Sequence, residues 1–249
     1  MISLKYTGQP IRMDKQNNAL LETKNLVKSY PSSIGVTTVL DSINFVAHEG
    51  NFIAVVGRSG SGKTTFLNML AGLDTPTHGN VFIKGRNLSD MNDSEITNMR
   101  RHMVGFVFQS FGLLPLLSAY ENVELPLRIS GYSSQERSSL TNQALETVGL
   151  EKRSSHRPFE LSGGEQKRVA IARAIVGKPP LILADEPTGE LDSNNSKSIF
   201  GLFKEVVNNQ KITIIAVTHD STLLSMADDV MELQTGKLEP VENIGLRFR

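Results

Sequence analysis

Eight consecutive residues, 57–64, carry the clearest chemical signal in the chain. They read Gly-Arg-Ser-Gly-Ser-Gly-Lys-Thr and fit the pattern G-x-x-x-x-G-K-[ST]. Glycines let the backbone wrap closely around phosphates, and the amide hydrogens at the start of the following helix face the anion. Lys63 is expected to reach the terminal phosphates, and the hydroxyl of Thr64 to bind magnesium. The residues predicted to contact a nucleoside triphosphate here are Gly57, Ser59, Gly60, Ser61, Gly62, Lys63, Thr64 and Thr65.

Two carboxylates end a second apolar segment, residues 181–184. Asp185 suits a magnesium ion held beside the phosphates. Glu186, one residue further out, suits a group that polarises an attacking water. An isolated acidic pair after a buried strand is more often only a solvated cap. The phosphate loop in the same chain favours the catalytic interpretation.

Three further side chains suit the same site, although each alone is a weak signal. Gln109 follows the apolar segment 104–108, and its amide oxygen can bind the metal. His219 follows another apolar segment and is expected at the terminal phosphate, although a lone histidine there is more often structural. Tyr30 can stack on an adenine ring, although a tyrosine in a strand is usually packing.

A sheet must bring these strand ends to one edge. Apolar strands alternate with helices in the sequence, which predicts an α/β fold with a mainly parallel sheet covered on both faces. A helical segment from about 112 to 165 interrupts that alternation. The predicted core strands are 52–56, 104–108, 181–184, 212–217 and 230–233.

Length and composition narrow the function classes. The chain has 249 residues, enough for one large domain or two joined subdomains. Its formal net charge is zero, so it has no general electrostatic attraction to nucleic acid or anionic lipid. It has no cysteine, which excludes a disulfide-stapled fold and cysteine chemistry. No apolar run approaches the length of about 20 residues that a membrane-spanning helix needs. Residues 1–18 lack the apolar core expected of a signal peptide. A cytoplasmic chain is expected, with membrane contact through a partner only.

A second motif, Leu-Ser-Gly-Gly-Glu at 161–165, adds a family resemblance. The chain resembles the ATP-binding subunits of ABC transporters over about residues 20–240, which leaves 1–19 as a variable leader and 241–249 as a tail. The features that carry the resemblance appear in the family's order: the phosphate loop, Gln109, the 161–165 motif, Asp185-Glu186, Leu191-Asp192 and His219.

This resemblance implies a phosphate-loop NTPase core of the RecA type, an antiparallel β subdomain and an inserted α-helical subdomain. It also implies that Ser162, Gly163 and Gly164 touch the γ-phosphate of ATP held by a second subunit, with Asp192 at the interface. A serine and two glycines at a helix start suit an anion. We therefore expect a homodimer around two Mg-ATP.

Finer features resemble the branch that contains the lipoprotein-releasing ATPase LolD, the macrolide-export ATPase MacB and the cell-division ATPase FtsE. In this family the apolar loop 111–117 meets a membrane permease; the alternative is that its side chains fill the core of the helical segment. Glu190 departs from the branch, which more often has asparagine or alanine there. The branch-level segments are 72–77, 100–101, 104–109, 111–115, 121–123, 126–127 and 184–189.

Three functions are compatible with these observations. The favoured hypothesis is an ATPase on the cytoplasmic face of the inner membrane that drives a separate permease, with an unidentified cargo. The second is a regulatory ATPase, similar to FtsE, that transmits motion across the membrane without moving a substrate. The third is a soluble ABC ATPase acting on DNA or ribosomes, which the neutral charge disfavours.

Overall fold

The structure is a computed structural model that describes residues 19–33, 35–189, 191–218, 220 and 224–241. Most of the predicted leader 1–19 and tail 241–249 therefore lies outside the described residues. The described strands are β1 (Ala19–Ser32), β2 (Gly35–His48), β3 (Phe52–Val56), β4 (His78–Ile83), β5 (Arg86–Asn87), β6 (Val104–Val107), β7 (Leu181–Asp185), β8 (Thr213–Val217), β9 (Asp229–Gln234) and β10 (Lys237–Pro240). The longer described helices are α1 (Lys63–Leu70), α2 (Asp93–Met103), α3 (Ala119–Ile129), α4 (Ser134–Thr147), α5 (Gly163–Ile175) and α6 (Ser193–Gln210).

The larger sheet contains six strands in the order β10-β9-β3-β8-β7-β6. Its pairings from β9 to β6 are parallel, and β10 pairs with β9 in the antiparallel direction. Every residue of β3, β7 and β8 is buried, as a parallel sheet covered on both faces requires. The predicted α/β fold class is confirmed.

Two apolar clusters cover the two faces of this sheet, because successive side chains of a strand point in opposite directions. Phe52 and Ala54 of β3 belong to one cluster, whereas Ile53 and Val55 belong to the other. The first cluster also contains side chains of α3, α4, α5 and α6. The second contains side chains of α1, α2 and the smaller sheet. That smaller sheet is antiparallel, with the order β2-β1-β4-β5.

Helices α3 and α4 lie within the segment predicted as a helical insert. Each begins with a capping box, in which a serine side chain and a glutamate three residues later satisfy each other's backbone amides. Glu124 of α3 joins the two helices, since its carboxylate accepts hydrogen bonds from Arg128 at 2.6 Å and from Arg137 at 2.9 Å. The division into leader, domain, insert and tail stays a prediction.

None of the helices in the described ranges is long and apolar enough to cross a membrane.

The Glu124 carboxylate is expected to stabilise the fold. The hydrogen bond from Arg137 lowers the pKa of this carboxyl group, burial opposes that shift, and Arg128 adds to it. A carboxyl with a lowered folded-state pKa stabilises the fold above its unfolded-state pKa, and the contribution is lost as pH falls through the folded-state value. We expect Glu124→Gln to reduce the free energy of unfolding at neutral pH by about 1–3 kcal/mol. The difference from the unmodified chain should shrink on acidification.

Urea unfolding across the acidic range measures this effect. Glu49→Gln is the matched control, because Glu49 pairs with Lys84 where both side chains are about half exposed. An equal loss of stability in the two variants would contradict the prediction.

Candidate nucleotide site

The phosphate loop connects β3 to α1, and its glycines are required by close contacts. Gly60 and Gly62 have φ of 76° and 100°, in the region that favours glycine. A Cβ atom on Gly62 would lie 2.7 Å from Val39 Cγ1. A Cβ atom on Gly57 would lie 2.4 Å from the carbonyl oxygen of Leu233. The loop therefore fits closely between β2 and β9.

Lys63 lies inside this loop. Its Nζ donates to the carbonyl oxygens of Gly57 at 2.9 Å and Arg58 at 3.0 Å, and the side chain is buried. Burial lowers the pKa of this amine, while the carboxylates of Glu186 and Asp185 partly offset that effect. The amine is therefore held between the loop and the acidic pair at the end of β7.

The phosphate loop and the acidic pair meet at Thr64. Its hydroxyl donates to Asp185 Oδ2 at 2.9 Å, which joins the start of α1 to the end of β7. Hydroxyl and carboxylate oxygens are among the donors that magnesium takes in nucleotide sites. Among the described residues no group of three or more acidic or histidine side chains is arranged to hold a metal alone. This donor set fits an ion that is also bound by phosphates.

Glu186 has an unusual backbone conformation. Its φ is 45°, which is uncommon for a residue with a side chain. Its amide donates to Val217 at 3.0 Å, and its carbonyl accepts from the amide of Gly189 at the same distance. This turn between β7 and α6 holds the carboxylate beside the cavity, and backbone strain of this kind is concentrated at functional sites.

A cavity of about 830 Å³ connects these groups. Gln109 lines it together with the acidic pair and residues of the phosphate loop, so the structure brings together side chains from three parts of the sequence. His219 lies outside the described residues. The predicted site residues that line the cavity are Ser59, Gly60, Gly62, Lys63, Thr64, Thr65, Gln109, Asp185 and Glu186.

Tyr30 does not line the cavity, but its side chain contacts that of Thr65, which does. Its hydroxyl donates to Asp74 Oδ2 at 2.8 Å and also interacts with the Thr65 side chain. Burial and the Asp74 carboxylate raise the pKa of Tyr30. The Nζ of Lys28 lies 4.8 Å from the ring centre and donates to Asp74 Oδ1. The ring is thus fixed beside the loop, and adenine stacking by Tyr30 stays a prediction.

The motif at 161–165 does not line this cavity in the described part of the chain. Ser162 caps α5, since its hydroxyl accepts from the amide of Glu165, and the Glu165 carboxylate accepts from the Ser162 amide. That backbone hydrogen bond is the main reason the pKa of Glu165 is lowered. A Cβ atom on Gly164 would lie 2.9 Å from Asn195 Oδ1, and Asn195 donates to the carboxylate of Asp192. The motif and the Asp192 loop are therefore neighbours.

Sequence reasoning missed Lys167 and Arg173 of α5. Both side chains donate to the backbone of the segment that begins at Gln109: Lys167 to Gln109 itself, and Arg173 to Phe111 and Gly112. A sequence signal for Lys167 existed. It lies at helical spacing from Ile171, on the buried face of the helix.

Known proteins are similar to this chain over most of its length. The ABC transporter family model matches residues 40–189. The chain is 46% identical over 223 residues to the lipoprotein-releasing system ATP-binding protein LolD of Psychrobacter arcticus, which covers 89% of this chain and 99% of that protein. It is 42% identical over 229 residues to the uncharacterised ABC transporter ATP-binding protein MJ0796 of Methanocaldococcus jannaschii, with 90% and 97% covered.

A solved structure is also similar. It is the dimeric structure of a post-hydrolysis state of the ATP-binding cassette MJ0796 bound to ADP and Pi. The TM-score is 0.82 at 40% sequence identity, and the match covers 89% of this chain and 99% of that one.

The close contact at Gly62 generates a binding prediction. Gly62→Ala would crowd Val39, whereas a Cβ atom on Gly60 meets nothing within 4 Å, although both glycines have positive φ. We expect Gly62→Ala to weaken nucleotide binding about tenfold more than Gly60→Ala, because a displaced loop misaligns its amides. Equilibrium titration with a fluorescent ATP analogue measures both. Equal affinities would show that the contact with Val39 does not shape the site.

Proposed function

Because the chain belongs to the ABC transporter family and is an ATPase, we propose that it is the subunit that drives a separate membrane permease in lipoprotein release or export. One observation carries the proposal. The 2.9 Å hydrogen bond between Thr64 and Asp185 brings the phosphate loop and the acidic pair to a single cavity.

Each part of the cavity has a role in hydrolysis. Thr64, Asp185 and Gln109 would hold Mg²⁺, which neutralises phosphate charge when bound. Lys63 steadies the terminal phosphates. Glu186 takes a proton from the water that attacks the γ-phosphorus, and the bond to the leaving ADP oxygen breaks. His219 is proposed at the terminal phosphate from its sequence position alone.

A second copy of the chain would complete the site. Ser162, Gly163 and Gly164 form the amino end of α5, outside the cavity of their own chain, where backbone amides suit an anion. In the proposed homodimer they contact the γ-phosphate bound by the other copy, and Asp192 lies at the interface. The similar MJ0796 cassette is described as dimeric, which supports this arrangement.

The surface after Gln109 suits a membrane partner. Leu114 and Leu116 are 45% and 81% exposed, which leaves both side chains accessible to a partner, whereas Leu113 packs against the core. A neighbouring cavity of about 280 Å³ is lined mainly by apolar residues, including Pro126 and Ile129, and also by arginines of α2 and α5. We propose that a permease segment binds there and holds the chain at the cytoplasmic face of the membrane.

The 46% identity to LolD supports the transport hypothesis. A regulatory ATPase similar to FtsE would use the same nucleotide site. Substrate movement by the reconstituted complex separates the two: movement supports the transporter, and ATP turnover without movement supports the regulator.

The role of Glu186 can be tested by Glu186→Gln. Removal of the proton acceptor should slow hydrolysis by about 10²–10⁴-fold and spare ATP binding. Phosphate release and nucleotide binding are measured on the same preparation. Glu205→Gln, at an exposed position in α6, is the control and should retain full turnover. Near-normal turnover in Glu186→Gln would remove Glu186 from the role of base.

The partner surface can be tested by Leu116→Glu. The tagged chain is purified with Mg-ATP from gently solubilised native membranes, and mass spectrometry identifies what accompanies it. We expect a polytopic membrane protein with the unmodified chain and its loss in Leu116→Glu, because a charge on an apolar contact resists desolvation. Val36→Glu, at a position 75% exposed in β2, should retain the partner. Retention in both variants would exclude Leu116 from the interface.

A further inference from the structure

Lys167 is a lysine with no exposed surface, in the second turn of α5. Buried lysines are rare unless they are partnered, because removing an ammonium group from water is costly. Here Nζ donates to the carbonyl oxygens of Phe108 at 3.2 Å and Gln109 at 3.0 Å. It also lies 4.8 Å from the centre of the Phe111 ring, a cation–π contact.

Arg173, further along the same helix, holds the next part of the segment. Its guanidinium donates to the carbonyl oxygens of Phe111 at 3.0 Å and Gly112 at 2.5 Å. Phe111 and Gly112 both have positive φ, 57° and 60°. Two cations of α5 therefore bind four carbonyls, those of residues 108, 109, 111 and 112.

The segment 109–112, which α5 binds through these cations, runs from the nucleotide cavity to the first turn of α5. At one end, Gln109 lines the nucleotide cavity, and a Cβ atom on Gly189 would lie 4.0 Å from its Cγ. At the other end, a Cβ atom on Gly163 would lie 4.0 Å from Cζ of Phe111. The ring thus packs between the first turn of α5 and the amine of Lys167.

We propose that Lys167 is a positioning residue that fixes the position of Gln109 relative to α5. Gln109 lies at the nucleotide cavity of its own copy, and the amino end of α5 closes the cavity of the other copy. Lys167 would therefore make these two parts of the chain move together. This inference rests on the proposed role of Gln109 at the metal. Lys167 does not touch the nucleotide itself. Its influence passes through the Gln109 backbone carbonyl and the Phe111 ring.

The test compares Lys167→Met with Lys167→Gln. Methionine and glutamine are similar in size, but only glutamine has N–H donors for the carbonyls. We expect kcat for ATP hydrolysis to fall about tenfold in Lys167→Met, as for a misplaced reacting group, and to be partly restored in Lys167→Gln. ATP binding measured without Mg²⁺ should not change, because the phosphate loop is untouched. The Mg²⁺ concentration for half-maximal activity should rise in Lys167→Met.

A double-mutant cycle with Gln109→Ala identifies the route of the effect. If Lys167 acts through Gln109, the double variant should be no slower than Gln109→Ala alone. Lys204→Met removes a lysine–carbonyl hydrogen bond from α6 and is the control for loss of a lysine. It should hydrolyse ATP at the normal rate.

Several results would overturn the proposal. The first is that the losses of kcat in Lys167→Met and Gln109→Ala add up in the double variant. The second is that Lys167→Met and Lys167→Gln have the same kcat. The third is that ATP binding without Mg²⁺ falls in parallel with kcat. If Gln109→Ala itself retains full activity, the proposed role of Gln109 fails instead. Should Lys167→Met not fold, Phe111→Leu tests the same link at a partly exposed position, and unchanged kcat and Mg²⁺ dependence there would count against it.

Discussion

The site depends on one geometric constraint: parallel strands end at the same edge of their sheet. The register pairs Val55 of β3 with Val217 of β8, and Val217 with Asp185 of β7. The phosphate loop after β3 and the acidic pair at the end of β7 are therefore brought to one edge, although more than a hundred residues separate them. The hydrogen bond from Thr64 to Asp185 fixes that meeting, and the cavity lies around it.

A single chain holds only part of the proposed machinery. The phosphate loop, the acidic pair and Gln109 line the cavity. Ser162, Gly163 and Gly164 form the amino end of α5, outside that cavity. Cations on α5 connect that helix to the segment after Gln109, and the same segment continues into exposed Leu114 and Leu116. Helix α5 is thus joined by hydrogen bonds to the segment that links the nucleotide cavity to the proposed partner surface. In the proposed function, this connection couples ATP binding to dimer closure and to permease motion.

Much of the fold could be predicted from the sequence, because its signals are local. A buried parallel strand is an apolar run, and a phosphate loop needs glycines at fixed spacing, so both can be recognised without a structure. The carboxylates Asp185 and Glu186 were found in the same way, from their position directly after an apolar strand. Their placement at the cavity then follows from the parallel topology.

Other features depend on tertiary contacts and could not be predicted. Whether Leu113 or Leu116 faces the core depends on how the loop turns. The burial of Lys167 is unexpected because a lysine in a helix is usually solvated. Asp74 had no visible link to Tyr30, which is 44 positions away in the sequence. Lys167 was the exception, since its spacing from the apolar residues of α5 was an available signal.

The proposed mechanism requires two copies of the chain to close around ATP. The most direct test is the mass in solution of the Glu186→Gln protein, measured by light scattering with ATP, with ADP and without nucleotide. We expect the mass of one chain, 27.3 kDa, with ADP or without nucleotide, and twice that mass with ATP. A single-chain mass at saturating ATP, or a doubled mass without nucleotide, would contradict it.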